Sequence, residues 1–303
     1  MSLPLISAQT IPEIGFTTDL PWGSNRLAID FAGGPYGFFG LGEAQTNLIS
    51  GRYRELCLTE IPGNSITTQV YRIPTQIIWE GKPDSIYYDL ELQHHENSVN
   101  IRATDFAASI MLKPTLCGQL WTYVEDADLL RCVFENYFRI LVAYRLLELG
   151  GAVFHSSAVI DNGAHIFLGK SGAGKTTISR LALNSGKQVL SDDLNAVMPV
   201  KGVFQACRIP FAGEMGQRDV SLSTHPVSGF YRIAKAFENR NWALPLGQSL
   251  AILLTCSPFI NSDHYRMSRL LEILETIVKK YGVQGFEFTR DQNFLSYLNN
   301  TSA

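Results

Sequence analysis

The chain has 303 residues, 46% of them hydrophobic and 17% charged, which excludes a disordered or low-complexity polymer and supports one large or two modest cores. Its net charge of −3 provides no global basic field to draw nucleic acid or an anionic membrane surface. Five cysteines (Cys57, Cys117, Cys132, Cys207 and Cys256) lack Cys-x-x-Cys spacing and read as reduced buried thiols rather than a disulfide or zinc framework.

The N-terminal MSLPLISAQTIPEIG has neither the basic start nor the apolar core of a signal peptide. Arg145 and Glu148 interrupt the best apolar run, FRILVAYRLLELGGAVF, short of the roughly 18 to 20 residues of a membrane span. The expectation is a cytoplasmic protein with neither a membrane nor a nucleic-acid partner.

Residues 1 to 124 alternate turn formers (PWGSN, AGGPYG, IPGNS, WEGKPDS) with short β-favouring runs (ITTQVYRI, TQIIWE, SIYYDLEL, SVNIRA), and predict a β-rich N-terminal domain. His94-His95 reads as a hydrated hairpin end without metal spacing, and Trp121 and Trp242 as core or interface residues. From Glu125 the apolar residues recur every three or four positions up to Gly150-Gly151, which predicts one long helix opening a second domain over 125–303.

Next come AVFHSSAVI and AHIFLG, two strand-like runs joined by Asp161-Asn162-Gly163, a strong hairpin signal. The segment GKSGAGKT that follows fits G-x-x-x-x-G-K-[ST]. In this pattern glycines turn successive backbone N–H groups toward one anion, a lysine neutralises phosphate and a hydroxyl reaches Mg²⁺. Gly169, Lys170, Ser171, Gly172, Ala173, Gly174, Lys175, Thr176 and Thr177 are therefore the candidate phosphate-binding residues. HIFL before the loop predicts a strand, and TTISRLALNS after it a helix stopped by Gly186.

QVLSDD then predicts a strand ending in Asp192 and Asp193, which a parallel neighbouring strand would return to the phosphate edge, where a metal-binding acid belongs. His155 lies on the strand before the hairpin. In RIPFAGEMGQR, the charges of Arg208, Glu214 and Arg218 suit a grip on phosphate or an acceptor. The rest mixes loop and strand until SRLLEILETIVKKYG, an amphipathic helix ended by Gly282.

The order His155, GKSGAGKTT, LSDD resembles the HPr kinase/phosphorylase family, firmly over about residues 150–200 and more loosely through RIPFAGE and ILLTCSPFIN. The resemblance implies an α/β fold with a P-loop-containing mixed sheet and flanking helices, like that of phosphoenolpyruvate carboxykinase, behind the smaller β-rich domain. It implies ATP and Mg²⁺ as cofactors, and γ-phosphoryl transfer to a hydroxyl, a serine of a protein or peptide. Asp192 would be the base assisted by His155, with Thr176 and Asp193 as metal ligands. Thr176-Thr177 replaces the family's usual Ser-Glu, and the glycine-rich C-terminal phosphorylase signature is missing from the sequence, so the implied direction is kinase, with an acceptor other than HPr. Oligomers are common among the resembling proteins, which leaves a homo-oligomer open. Two other readings stand beside this one: a nucleotide-binding regulatory or assembly protein without transfer, and a small-molecule kinase acting, for example, on serine.

Overall fold

A computed structural model describes residues 20–73, 90–211, 213, 215, 224–290 and 294–298. Contacts divide the chain into two units, Met1–Asp30 with Gly34–Leu141, and Phe31–Gly33 with Val142–Ala303. The division falls within the long helix, whereas the boundary expected after residue 124 lies just ahead of it. Among the described residues the architecture is mixed α/β, with two mixed sheets and six helices. No described helix is long and apolar enough to cross a membrane.

The first unit comprises β1 (Leu20–Pro21), β2 (Asn25–Ile29), β3 (Tyr36–Leu41), α1 (Glu43–Arg52), β4 (Cys57–Leu58), β5 (Ile66–Arg72), β6 (Leu90–His94), β7 (Ser98–Ala103), β8 (Phe106–Met111) and β9 (Cys117–Thr122). Its sheet runs β4-β2-β3-β5-β9-β8-β7-β6, with β1 on β5. The β3–β5 and β5–β9 pairs are parallel and the others antiparallel. On β5, Ile66, Thr68 and Val70 point inward at the period-2 spacing of a half-buried strand. The run TQIIWE and the first part of SIYYDLEL lie outside the described residues.

The long helix is α2 (Ala127–Glu148). It starts where Asp126 Oδ1 accepts the backbone N–H groups of Asp128 and Leu129, a side-chain N-cap. It stops at Gly150, whose φ of 79° lets Gly151 N–H reach the Leu146 carbonyl and Gly150 N–H the Leu147 carbonyl. Within the first unit, its Phe134 and Phe138 pack with Phe38, Tyr36 and Tyr53, at centroid separations of 4.7 Å for Phe38–Phe134 and 5.0 Å for Tyr36–Phe138.

The second unit comprises β10 (Ala152–Ile160), β11 (Ala164–Leu168), α3 (Lys175–Asn184), β12 (Gln188–Ser191), β13 (Leu194–Val200), β14 (Val203–Cys207), β15 (Thr224–Lys235), β16 (Arg240–Ala243), α4 (Leu246–Thr255), α5 (Met267–Tyr281), β17 (Gln284–Phe288) and α6 (Phe294–Leu298). The β10–β11 hairpin turns at Asn162 and Gly163, both at positive φ. Helix α5 buries Leu270, Ile273, Leu274, Ile277 and Val278, the i, i+3, i+4, i+7, i+8 stripe of an amphipathic helix. Helix α4 replaces the loop and strand expected there.

Strand pairing in this unit closes a circuit, β11-β10-β13-β14-β15 and back to β11, with β17 and then β16 added beyond β15. Strands β11, β15 and β17 run parallel, so their carboxyl ends share one edge. Against them α3 buries Ile178 and Ala182 among Val159, Phe167, Tyr231, Ile233, Phe286 and Phe288.

His165 lies inside this unit at 2% exposure, with one ring nitrogen 3.0 Å from the Tyr231 hydroxyl and the other 3.0 Å from the Asp161 carbonyl. Burial pushes its pKa below the ordinary 6.5, opposed by the Asp161 carbonyl and charge. A base with a depressed folded pKa leaves the unfolded chain binding the extra proton. Its share of stability is full above pH 6.5 and lost as pH falls from there through the folded value. His165→Gln is expected to flatten the acid limb of the melting temperature below pH 6.5; an unchanged slope would assign that limb to other groups.

Candidate functional site

The loop from Gly169 to Gly174 joins the end of β11 to the start of α3, the strand-loop-helix setting that an anion-binding glycine loop requires. Gly172 and Gly174 have φ of 78° and 111°, where a side chain is strained. Around Gly174 space is also short, since a Cβ there would stand 2.7 Å from the Phe288 ring. Around Gly172 nothing lies within 4 Å.

Lys175 is buried, and its ammonium donates to the carbonyls of Gly169 at 2.9 Å and Lys170 at 3.3 Å. The cation is thus held inside the loop whose amides would face an anion. Cys256, which the sequence did not single out as a site residue, lies within reach of Gly169 and Lys175. Burial pushes its thiol pKa up, against a hydrogen bond from the Gly169 backbone and the charge of Lys175. The Cys256 carbonyl also accepts the His155 N–H at 2.7 Å.

Asp192 and Asp193 form a two-residue break between β12 and β13, both of which pair antiparallel with β10. Because β10 is itself antiparallel to β11, β12 runs in the direction of β11 and delivers the acids to the loop's edge. The strand expected beside β11 is therefore its next-but-one neighbour, with β10 between.

The Thr176 hydroxyl donates to Asp192 Oδ2 at 3.2 Å. Asp193 Oδ1 stands 3.1 Å from His155 Nδ1, and its backbone N–H donates to Ser191 Oγ at 3.1 Å. The structure thus brings Thr176 to Asp192, where the resemblance paired it with Asp193, and joins His155 to Asp193 rather than to Asp192. Asp192 is 6% exposed. Gly213 presses on both acids, since a Cβ there would fall 2.9 Å from the Asp193 Cβ and closer still to Asp192 Oδ1.

Two further contacts fix these groups. Ser157 Oγ and Ser179 Oγ, both buried, lie 2.6 Å apart and tie β10 to α3. Asn195 Nδ2 donates to the Ser156 carbonyl at 2.8 Å and its hydroxyl at 3.0 Å. Thr177 is in the first turn of α3, and Lys170, Ser171 and Ala173 are in the loop. Arg208 is buried just past β14, while Glu214 and Arg218 lie outside the described residues.

In the first unit, His95 Nε2 meets Asn100 Nδ2 at 3.3 Å at the β6–β7 hairpin, and Trp121 is buried and stacked on Tyr71 at 5.6 Å. In the second, Trp242 is partly exposed beneath the Arg240 guanidinium.

Among the described residues no three His, Cys, Asp or Glu side chains gather as a metal site. A hydroxyl and a carboxylate at 3.2 Å are instead the sparse oxygen set that suits Mg²⁺ when nucleotide phosphates and water complete its shell. Neither a protein-family model nor a curated protein matches the chain.

Gly174→Ala is expected to cost more than about 1 kcal/mol of stability, through strained φ and overlap with Phe288, and Gly172→Ala less, having only the strain. Urea unfolding of both variants checks the order. Equal losses would mean that the contact with Phe288 does not shape the loop.

Proposed function

We propose that the second unit is a P-loop phosphotransferase domain of the HPr kinase-like type, and that the protein is an ATP- and Mg²⁺-dependent kinase. It would transfer the γ-phosphoryl group to a hydroxyl, a serine of a protein or peptide. The observation that carries this reading is the pairing of Thr176 with Asp192 and of His155 with Asp193, beside the loop from Gly169 to Gly174.

On this reading the loop amides and Lys175 cradle the β- and γ-phosphates. Mg²⁺ would neutralise charge developing on the transferred group. The two acids divide the work according to their partners. Asp192, beside the Thr176 hydroxyl, belongs with the metal. Asp193, oriented by His155, accepts the proton of the acceptor hydroxyl as its oxygen bonds to the γ-phosphorus and the bond to ADP breaks. This reverses the division suggested by the resemblance, because the Thr176 hydroxyl reaches Asp192.

The test is transfer of labelled phosphate from ATP into serine-containing peptides, with ATP binding measured separately. Lys175→Ala is expected to lose binding and transfer. Asp193→Asn should keep Mg²⁺-ATP binding and lose at least about a hundredfold in rate, while Asp192→Asn should raise the Mg²⁺ concentration needed for half-maximal rate. Transfer that survives Lys175→Ala would sink the assignment. Tight ATP binding by the wild type without transfer to any acceptor would favour a nucleotide-binding regulator.

A further inference from the structure

The segment from Ala236 to Asn239 crosses the carboxyl end of β17, carrying the chain from β15 on one side to β16 on the other. Two hydrogen bonds fasten this strap, from Ala236 N–H to the Phe288 carbonyl at 3.0 Å and from Thr289 N–H to Asn239 Oδ1 at 3.0 Å. Since β11, β15 and β17 are parallel, the strap lies at the same sheet edge as the phosphate loop, two strand spacings or about 10 Å away.

Two side chains distinguish the strap. Lys235, the last residue of β15, lies against the loop, for a Cβ on Gly174 would stand 3.3 Å from its Cε. Phe237, two residues on, is 102% exposed, the most exposed of the large apolar side chains among the described residues. A fully exposed phenylalanine gains nothing from burial in the folded chain, yet here it stands on a fastened strap that begins beside the loop from Gly169 to Gly174.

We propose that the strap completes the nucleotide site, with Phe237 as the stacking platform for the nucleobase and Lys235 as a second cation near the phosphates. This rests on the kinase reading only in seating the phosphates in the loop from Gly169 to Gly174. A nucleotide held there spans the interval to the strap with its ribose, and its base meets the face of Phe237. An aromatic face accepts any base by stacking, so the ligand class is a nucleoside triphosphate or diphosphate, and the platform supplies affinity rather than discrimination among bases.

The experiment is calorimetric titration of the wild type, Phe237→Ala, Phe237→Trp and Lys175→Ala with ATP and, separately, with inorganic tripolyphosphate, all with Mg²⁺. Phe237→Ala is expected to weaken ATP about tenfold and leave tripolyphosphate unchanged, while Phe237→Trp keeps ATP near the wild-type affinity. Unchanged tripolyphosphate binding also reports an intact loop and fold. The proposal is overturned if Phe237→Ala binds ATP like the wild type, if it loses both ligands equally, or if the wild type binds both ligands equally. In each of those cases, binding that is abolished by Lys175→Ala would leave the phosphate loop standing. A wild type that binds neither ligand overturns the phosphate-loop reading and this one with it.

Discussion

Consecutive side chains on a regular β-strand point to opposite faces, so two adjacent aspartates can serve one site only where the strand is broken. In the second unit, that break is at Asp192-Asp193, between β12 and β13, and the β10–β12 register slips between Ala158 and Val159. His155, Ser157 and Val159 alternate onto one face of β10. Ser157 bonds Ser179 of α3 there, and Val159 packs with Ile178 and Ala182. Asp192 meets Thr176 in the first turn of the same helix, and Asp193 meets His155 on the same strand face. Without the break, one acid would face away from α3, and the loop would have one carboxylate beside it rather than two.

Strand β10 makes that arrangement rigid. It pairs with β11 on one side and with β12 and β13 on the other, so the strand that leads into the glycine loop and the chain that carries the acids are both hydrogen-bonded to it. The buried Ser157–Ser179 bond adds α3, whose N-terminus closes the loop. The kinase reading requires groups already placed before the ligand arrives, since its catalysis would come from positioning and charge. Here the placement comes from backbone ladders rather than from flexible side chains.

Much of this frame was legible because its signals are local. Asn162-Gly163 supplies the positive φ values of the hairpin, the glycine spacing of the loop fixes where β11 must end, and the apolar stripe of α5 repeats at the helical period. The helices missed by the reading lack that stripe. In EAQTNLISGR of α1 only Gln45 and Ile49 are buried, and SLAILLT in α4 is so uniformly apolar that strand and helix periods fit it equally. The partner of each aspartate was not legible either, because it depends on how the chain bends between two strands. Gly213 lies some way along the chain from the acids it presses on, and no sequence spacing announces that contact.

The charge balance of the site carries the argument one step further. On the kinase reading, two carboxylates beside the loop from Gly169 to Gly174 would repel a phosphate seated there, and Lys175, already bonded to two loop carbonyls, together with Lys235 against the loop, would offset only part of that repulsion. The N-terminal end of α3 adds a partial positive charge, still short of balance against a triphosphate and two acids. On that reading the site would favour an anion that arrives with its own divalent cation over the bare anion. The Thr176 hydroxyl and Asp192 carboxylate would be the oxygens to receive that cation. The same repulsion would give the acids a use in discrimination on that reading, because a ligand without enough phosphate oxygens to carry the metal would meet the carboxylates uncompensated.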